Sequence, residues 1–87
     1  VLHNAAKTRF ETTVNGFRSV VDYELDGEMM LITHTFVPPE LRGRGIAEKL
    51  VRAALDWATG EKRRVVPACT YVAAFIDRHP EFKRLTV

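Results

Sequence analysis

Apolar and polar positions alternate along the first part of the chain and change to a helical period in the middle. Over residues 8 to 14, Phe10, Thr12 and Val14 share one face. Asn15-Gly16 follows, a dipeptide that tolerates the positive φ angles of a two-residue hairpin turn. Residues 17 to 25 alternate again, with Phe17, Ser19, Val21, Tyr23 and Leu25 opposite Arg18, Asp22 and Glu24. Asp26-Gly27 reads as a second hairpin turn. Residues 28 to 37, "EMMLITHTFV", read as a third strand, rich in apolar and β-branched types. Its near-continuous apolar character predicts cover on both faces. Simple alternation sets Met30, Ile32, His34 and Phe36 on one of those faces.

Pro38-Pro39 stops the strand. After Gly45 the period becomes 3.6. Ile46, Leu50, Ala54 and Trp57 form a stripe, widened by Ala47, Val51, Leu55 and Ala58, while Glu48, Lys49, Arg52 and Asp56 stay polar. Gly60 is a natural stop. Residues 64 to 69 read as a fourth strand, made irregular by Pro67. Because it follows a helix, it lies parallel to the third strand in a right-handed crossover. Thr70 is placed to cap a second helix over residues 71 to 79, with Tyr71, Ala74, Phe75 and Arg78 on related faces, and His79-Pro80 ends it. The pattern predicts a mixed α/β class: an antiparallel three-strand meander, a helix, a parallel fourth strand and a C-terminal helix. His3 falls outside every periodic segment and reads as part of a loose terminus.

Composition narrows the setting. The 87 residues, 46% hydrophobic and 28% charged, suit a single domain over 1–87 and exclude a disordered chain. No apolar run approaches the length of a membrane span, and no charged-then-apolar leader opens the chain, which begins at Val1. One cysteine, Cys69, excludes an internal disulfide and a multi-cysteine zinc site, so a reducing, cytoplasmic setting is the expectation. A formal charge of +2 is a mild lean towards anionic partners and too small for a nucleic-acid surface. Lys62, Arg63 and Arg64 read as a solvated turn.

The chemistry concentrates in "PPELRGRGIAEKL", Pro38 to Leu50. The first N–H groups of a helix have no partner inside it, and the helix dipole favours an anion there. Gly43 and Gly45 let backbone approach a ligand closely, and Arg42 and Arg44 add positive charge. The stretch therefore reads as a diphosphate cradle. It lacks the Lys-Ser or Lys-Thr of a nucleotide P-loop and the third glycine of the dinucleotide fingerprint.

Arg42, Gly45 and Ala47 instead reproduce the Arg/Gln-x-x-Gly-x-Gly/Ala spacing of GNAT acyltransferases. With "HTFV" before it and "VVPACTYV" and "HPEF" after it, the run from Glu28 to Phe82 resembles the small single-domain GNAT-like N-acetyltransferases. The resemblance implies a minimal GNAT fold whose third and fourth strands splay apart. It implies that acetyl-coenzyme A lies in that gap, its pantetheine along Thr35, Phe36 and Val37. Its pyrophosphate would sit on the turn formed by Arg42, Gly43, Arg44, Gly45, Ile46 and Ala47, with Thr70 nearby. It implies an amine acceptor, either a small molecule or a protein. It also implies an oxyanion donor near Val37, Cys69 as a nucleophile for acetyl, His34 as a base, and Tyr71 as an acid for the departing thiolate.

By residue type alone other readings stay open. Cys69 also reads as a small core residue, His34 as a hydrogen-bonded core histidine and Tyr71 as packing. Larger GNAT domains carry helices between their first two strands, whereas Asn15-Gly16 closes that connection here. The acceptor side is then open, or completed by a second copy in a homodimer. Two further functions remain beside an N-acetyltransferase: a coenzyme A or acyl-coenzyme A binding module with little turnover, and, much less favoured, a small nucleic-acid binder using "RGRG".

Overall fold

A computed structural model describes all 87 residues, Val1–Val87. Five strands form one sheet in the order β1-β2-β3-β4-β5. They are β1 (Leu2–Asn4), β2 (Arg9–Val14), β3 (Phe17–Asp26), β4 (Met29–Phe36) and β5 (Arg64–Pro67). Helix α1 (Ile46–Gly60) crosses from β4 to β5, and α2 (Thr70–Arg78) follows β5. Short 3-10 turns cover Ala5–Lys7, Pro39–Leu41 and Pro80–Leu85. Neighbours from β1 to β4 are antiparallel, and β4 and β5 are parallel.

The turns form where the dipeptides lie. Asn15 (φ 51) and Gly16 (φ 81) both take the positive φ that a tight, twist-matched hairpin needs. The second turn is shifted by one residue from expectation: Asp26 still pairs with Met29, so Gly27 and Glu28 are the turn residues. Gly27, at φ 60, supplies the conformation that Asp26 does not need.

One core of 18 buried residues joins Phe10, Val21, Tyr23, Met30 and Ile32 of the sheet to both helices and the last 3-10 turn. Leu50, Val51, Ala54, Leu55 and Ala58 of α1 are fully buried, as the 3.6 period predicts, and Trp57 packs against the core part-buried. The expected cover on both faces of β4 is not found. Met30 and Ile32 are buried, but Met29 and Leu31 are only half-buried and Thr33 and His34 are exposed. Both helices share the core on one side, so the other face carries no helix. Four other sequence expectations shift at element ends. The third strand ends at Phe36 rather than Val37, and the fourth at Pro67 rather than Cys69. Gly60 lies within the last turn of α1, and the left-handed residue after it is Lys62 (φ 56). Cys69, not Thr70, is the N-cap of α2, because its backbone is extended (φ −95, ψ 132) while Thr70 is already helical.

His3 is not in a loose terminus. It pairs with Phe10 across β1 and β2 and stacks on that ring at 4.1 Å and 4°. Its Nε2 lies 2.6 Å from the Tyr23 hydroxyl, and Trp57 meets it edge-on at 4.7 Å. A three-residue strand is too short to show a period, so only its tertiary partners define it. Burial pushes the His3 imidazole below its ordinary value of 6.5, with Glu61 pulling weakly the other way. The folded state therefore prefers neutral His3. Its contribution is intact above the unfolded value and is lost as pH falls from about 6.5 towards the lower folded value. Chemical denaturation of wild type and His3→Phe between pH 7.5 and 5 is expected to show a smaller loss of stability on acidification in the variant. Parallel profiles would refute this account of β1.

Candidate functional site

The site begins where β4 and β5 part. Their pairing runs from Met29 with Arg64 to Ile32 with Pro67 and stops. Pro67 has no N–H to donate, and the Ala68 N–H turns back to the Val66 carbonyl at 3.0 Å. Cys69 N–H makes the last link across, to the Ile32 carbonyl at 3.0 Å. Thr33 to Phe36 continue with no β5 partner. The splay predicted by resemblance is present, and its local cause is a proline followed by a backbone turn.

Beyond Phe36 the chain makes the Pro39–Leu41 turn and enters the glycine loop. Gly43 (φ 84) and Gly45 (φ 74) are both left-handed, a conformation that costs residues with a Cβ about 1–2 kcal/mol. A Cβ at either would meet no atom within 4 Å, so space beside them is open and only the backbone angle demands glycine. Gly45 is the N-cap of α1 and has no side chain to cap with. The first helical bond is Lys49 N–H to the Gly45 carbonyl at 3.1 Å, which leaves the preceding N–H groups of the first turn for a ligand. Arg42 Nε donates to the Val37 carbonyl at 3.1 Å, tying the loop to the end of β4.

Two adjoining hollows, of about 230 and 280 Å³, run from this loop to the open end of β4. They share Val37, Arg42, Ala47 and Tyr71 and so form one groove. Gly43, Gly45 and Ile46 line its loop end, and Thr35 and Phe36 its strand end. Leu41 and Glu48 line it too and escaped the sequence reading. Glu48 was readable only as a polar-face residue, although its place in the first turn of α1 was the available signal. Its carboxylate lies 3.7 Å from His79 Nε2, and His79 in turn lies 2.8 Å, through Nδ1, from the Phe75 carbonyl. Arg44 and Thr70 do not line the groove.

Cys69 stands just outside the groove. Its thiol lies 3.7 Å from the Thr35 hydroxyl, which is itself part of the lining. Burial raises the affinity of the thiol for its proton. The backbone of Val72, the Thr35 side chain and the backbone of Tyr71 and Thr35 favour the thiolate and outweigh burial, so Cys69 sits below the ordinary value of 9.0. No hydrogen bond short enough to count as a cap joins the side chain to α2. The N–H groups at the start of the helix act on the sulfur electrostatically.

His34 is on the other side of the sheet. Asp22 pairs with His34 and Tyr23 with Ile32, so Thr33 is an extra residue bulged out of β4. After the bulge the alternation is reversed: Thr35, opposite buried Val21, faces the core, while His34 and Phe36 face out. The sheet thus separates His34 from Cys69, and the two are not brought together as a base and its nucleophile. On the outer face His34 Nδ1 lies 3.4 Å from Asp22 Oδ2, and Arg9 Nε donates to Asp22 Oδ1 at 2.8 Å.

A parallel β4-α1-β5 unit that splays above a glycine-capped helix start defines an acyltransferase-like class of fold. The family described as GCN5-related N-acetyl-transferase matches residues 9–85, and the chain belongs to that family. The chain is 37% identical over 83 residues to a Bos taurus protein named NATD1, covering 92% of this chain and 74% of the relative. The NATD1 of Homo sapiens is 35% identical with the same coverage, and that of Danio rerio 32%. The NMR solution structure of a GCN5-like protein from Staphylococcus aureus superposes with a TM-score of 0.69 at 16% identity, covering 92% of this chain and 89% of that one. That likeness shows the shared fold.

Proposed function

We propose that this domain transfers acetyl from acetyl-coenzyme A to an amine. The observation that carries the reading is the continuity of the groove. A cradle of unpartnered N–H groups suited to a diphosphate leads into an unpaired strand edge suited to an amide-bearing chain. Arg42, Gly43, Gly45, Ile46 and Ala47 would hold the diphosphate, and Thr35, Phe36 and Val37 the pantetheine. Bound there, the coenzyme supplies an activated acetyl thioester.

The chain's own residues then have separate tasks. The backbone N–H near Val37 donates to the oxyanion. Tyr71, which lines the whole groove, donates a proton to the leaving thiolate. Cys69, favoured as a thiolate, accepts acetyl from the groove side. His34 serves the acceptor in direct transfer from the coenzyme, a route separate from Cys69: from the helix-free face it takes the proton of the incoming amine. Phe36 joins the two faces, since it lines the groove and lies parallel to the His34 ring at 6.5 Å and 6°.

A binding module with little turnover is the second reading, favoured by the position of Cys69 outside the groove lining. The test is a calorimetric titration with acetyl-coenzyme A followed by thiol release with a panel of primary amines. Binding with amine-dependent release supports the transferase, and binding without release supports the module. A folded protein that binds neither acetyl-coenzyme A nor coenzyme A rules out both.

A further inference from the structure

We infer that Asp22 is a positioning residue for His34, fixing which imidazole nitrogen carries the proton, and that Arg9 fixes Asp22. The inference rests on the reading of His34 as the base for the acceptor. The three residues sit side by side on β2, β3 and β4, since Arg9 pairs with Asp22 and Asp22 with His34. Cross-strand partners share a face, and this one is free of helices. Asp22 is held at both oxygens: Oδ1 accepts from Arg9 Nε at 2.8 Å, and Oδ2 lies 3.4 Å from His34 Nδ1. Its side chain is 28% exposed and that of Arg9 27%, against 58% for His34. The anchored pair is therefore the sheltered part of the row, and the imidazole is the part that reaches solvent.

A carboxylate at that distance favours a proton on Nδ1 and disfavours a lone pair there. Neutral His34 is then the Nδ1–H tautomer, and the Nε2 lone pair points away from Asp22 as the base. The Thr33 bulge is what creates this arrangement. Without it, register would set His34 on the face of Met30 and Ile32, away from Asp22. In the transfer step the amine nitrogen bonds to the acetyl carbon, the carbon–sulfur bond breaks, and the sulfur leaves with its electron pair. The amine proton moves to Nε2, giving an imidazolium whose Nδ1–H still faces the carboxylate. Arg9 and Asp22 are the charged side chains in the same cross-strand row as His34, and Glu11 and Glu24 share that face in the neighbouring rows, β5 having ended at Pro67.

The experiment compares wild type, Asp22→Ala, Asp22→Asn and His34→Ala. Nitrogen-15 NMR of the neutral His34 ring reads the tautomer, and steady-state kinetics with a primary amine reads kcat and the KM for acetyl-coenzyme A. Asp22→Ala is expected to shift neutral His34 towards the Nε2–H tautomer. It should lower kcat by roughly tenfold, less than the ~10²–10⁴ that a general base supplies, with KM for acetyl-coenzyme A unchanged. Asp22→Asn has one oxygen for two donors: Arg9 Nε takes it, the amide N–H₂ faces Nδ1, and the variant should follow Asp22→Ala in tautomer and rate. An unchanged tautomer in Asp22→Ala overturns the inference whatever the rates do. A shifted tautomer with kcat unchanged, while His34→Ala is slow, overturns it and leaves the reading of His34 standing. Full activity in His34→Ala removes that reading and the inference together.

Discussion

Arg42→Ala is expected to weaken acetyl-coenzyme A binding by about 10- to 100-fold while leaving the fold intact. Arg42 lines both parts of the groove, and its Nε bond to the Val37 carbonyl ties the loop to the strand along which pantetheine would lie. The variant loses a charged donor to the phosphates and the brace on the loop at once. A hydrogen bond to a charged group contributes about 1.5–3 kcal/mol, which sets the size of the effect. The side chain is exposed and outside the core, so the melting temperature should hardly move. Arg42→Lys keeps the charge but loses the planar fork, and should fall between the two. Arg44→Ala is the control, because Arg44 lies outside the lining. Calorimetric titration of the three variants checks this. Equal losses at Arg42 and Arg44 would mean that net positive charge, not the placed side chain, holds the ligand.

Incubated with acetyl-coenzyme A, the wild-type protein is expected to gain one acetyl group by intact mass, and Cys69→Ala none. The thiol is held below its ordinary value against the opposing effect of burial, because the start of α2 and the Thr35 hydroxyl favour the thiolate. For an acid with a lowered value, the reactive form persists to lower pH. Iodoacetamide alkylation of Cys69 should therefore rise with pH through a midpoint below 9.0. Thr35→Val, which removes the hydroxyl 3.7 Å from sulfur, should move that midpoint up. Turnover in Cys69→Ala at the wild-type rate would show that acetyl passes directly to the acceptor, with Cys69 a packing residue.

Much of the fold was legible along the chain because its causes are local. The Asn15-Gly16 hairpin, the α1 stripe from Ile46 to Ala58 and the stop at Pro38-Pro39 each follow from a few neighbouring residues. The glycine turn before α1 was legible for the same reason. A left-handed angle at Gly43 and Gly45 is a property of single residues, and the free N–H groups belong to the first turn of one helix. Leu41 and Glu48 were missed because nothing in their type distinguishes a groove wall from ordinary helix or turn positions.

Alternation by itself determined that β4 is a strand and which residues could share a face, but not which face His34 took. One bulged residue, Thr33, reverses every side chain after it, and a bulge is set by the pairing of β4 with Asp22 and Tyr23 of β3, not by the alternation within β4. The same holds for β1, whose three residues are defined by Phe10, Tyr23 and Trp57 packing on His3. It holds for the bare outer face of the sheet, which depends on both helices packing on one side. Sequence alone determined strands β2 to β5, the crossover helix and the glycine turn ahead of it, because turn chemistry and periodicity act over a few residues. Tertiary structure decided that Cys69 and His34 stand on opposite sides of the sheet, because side-chain facing depends on register between strands.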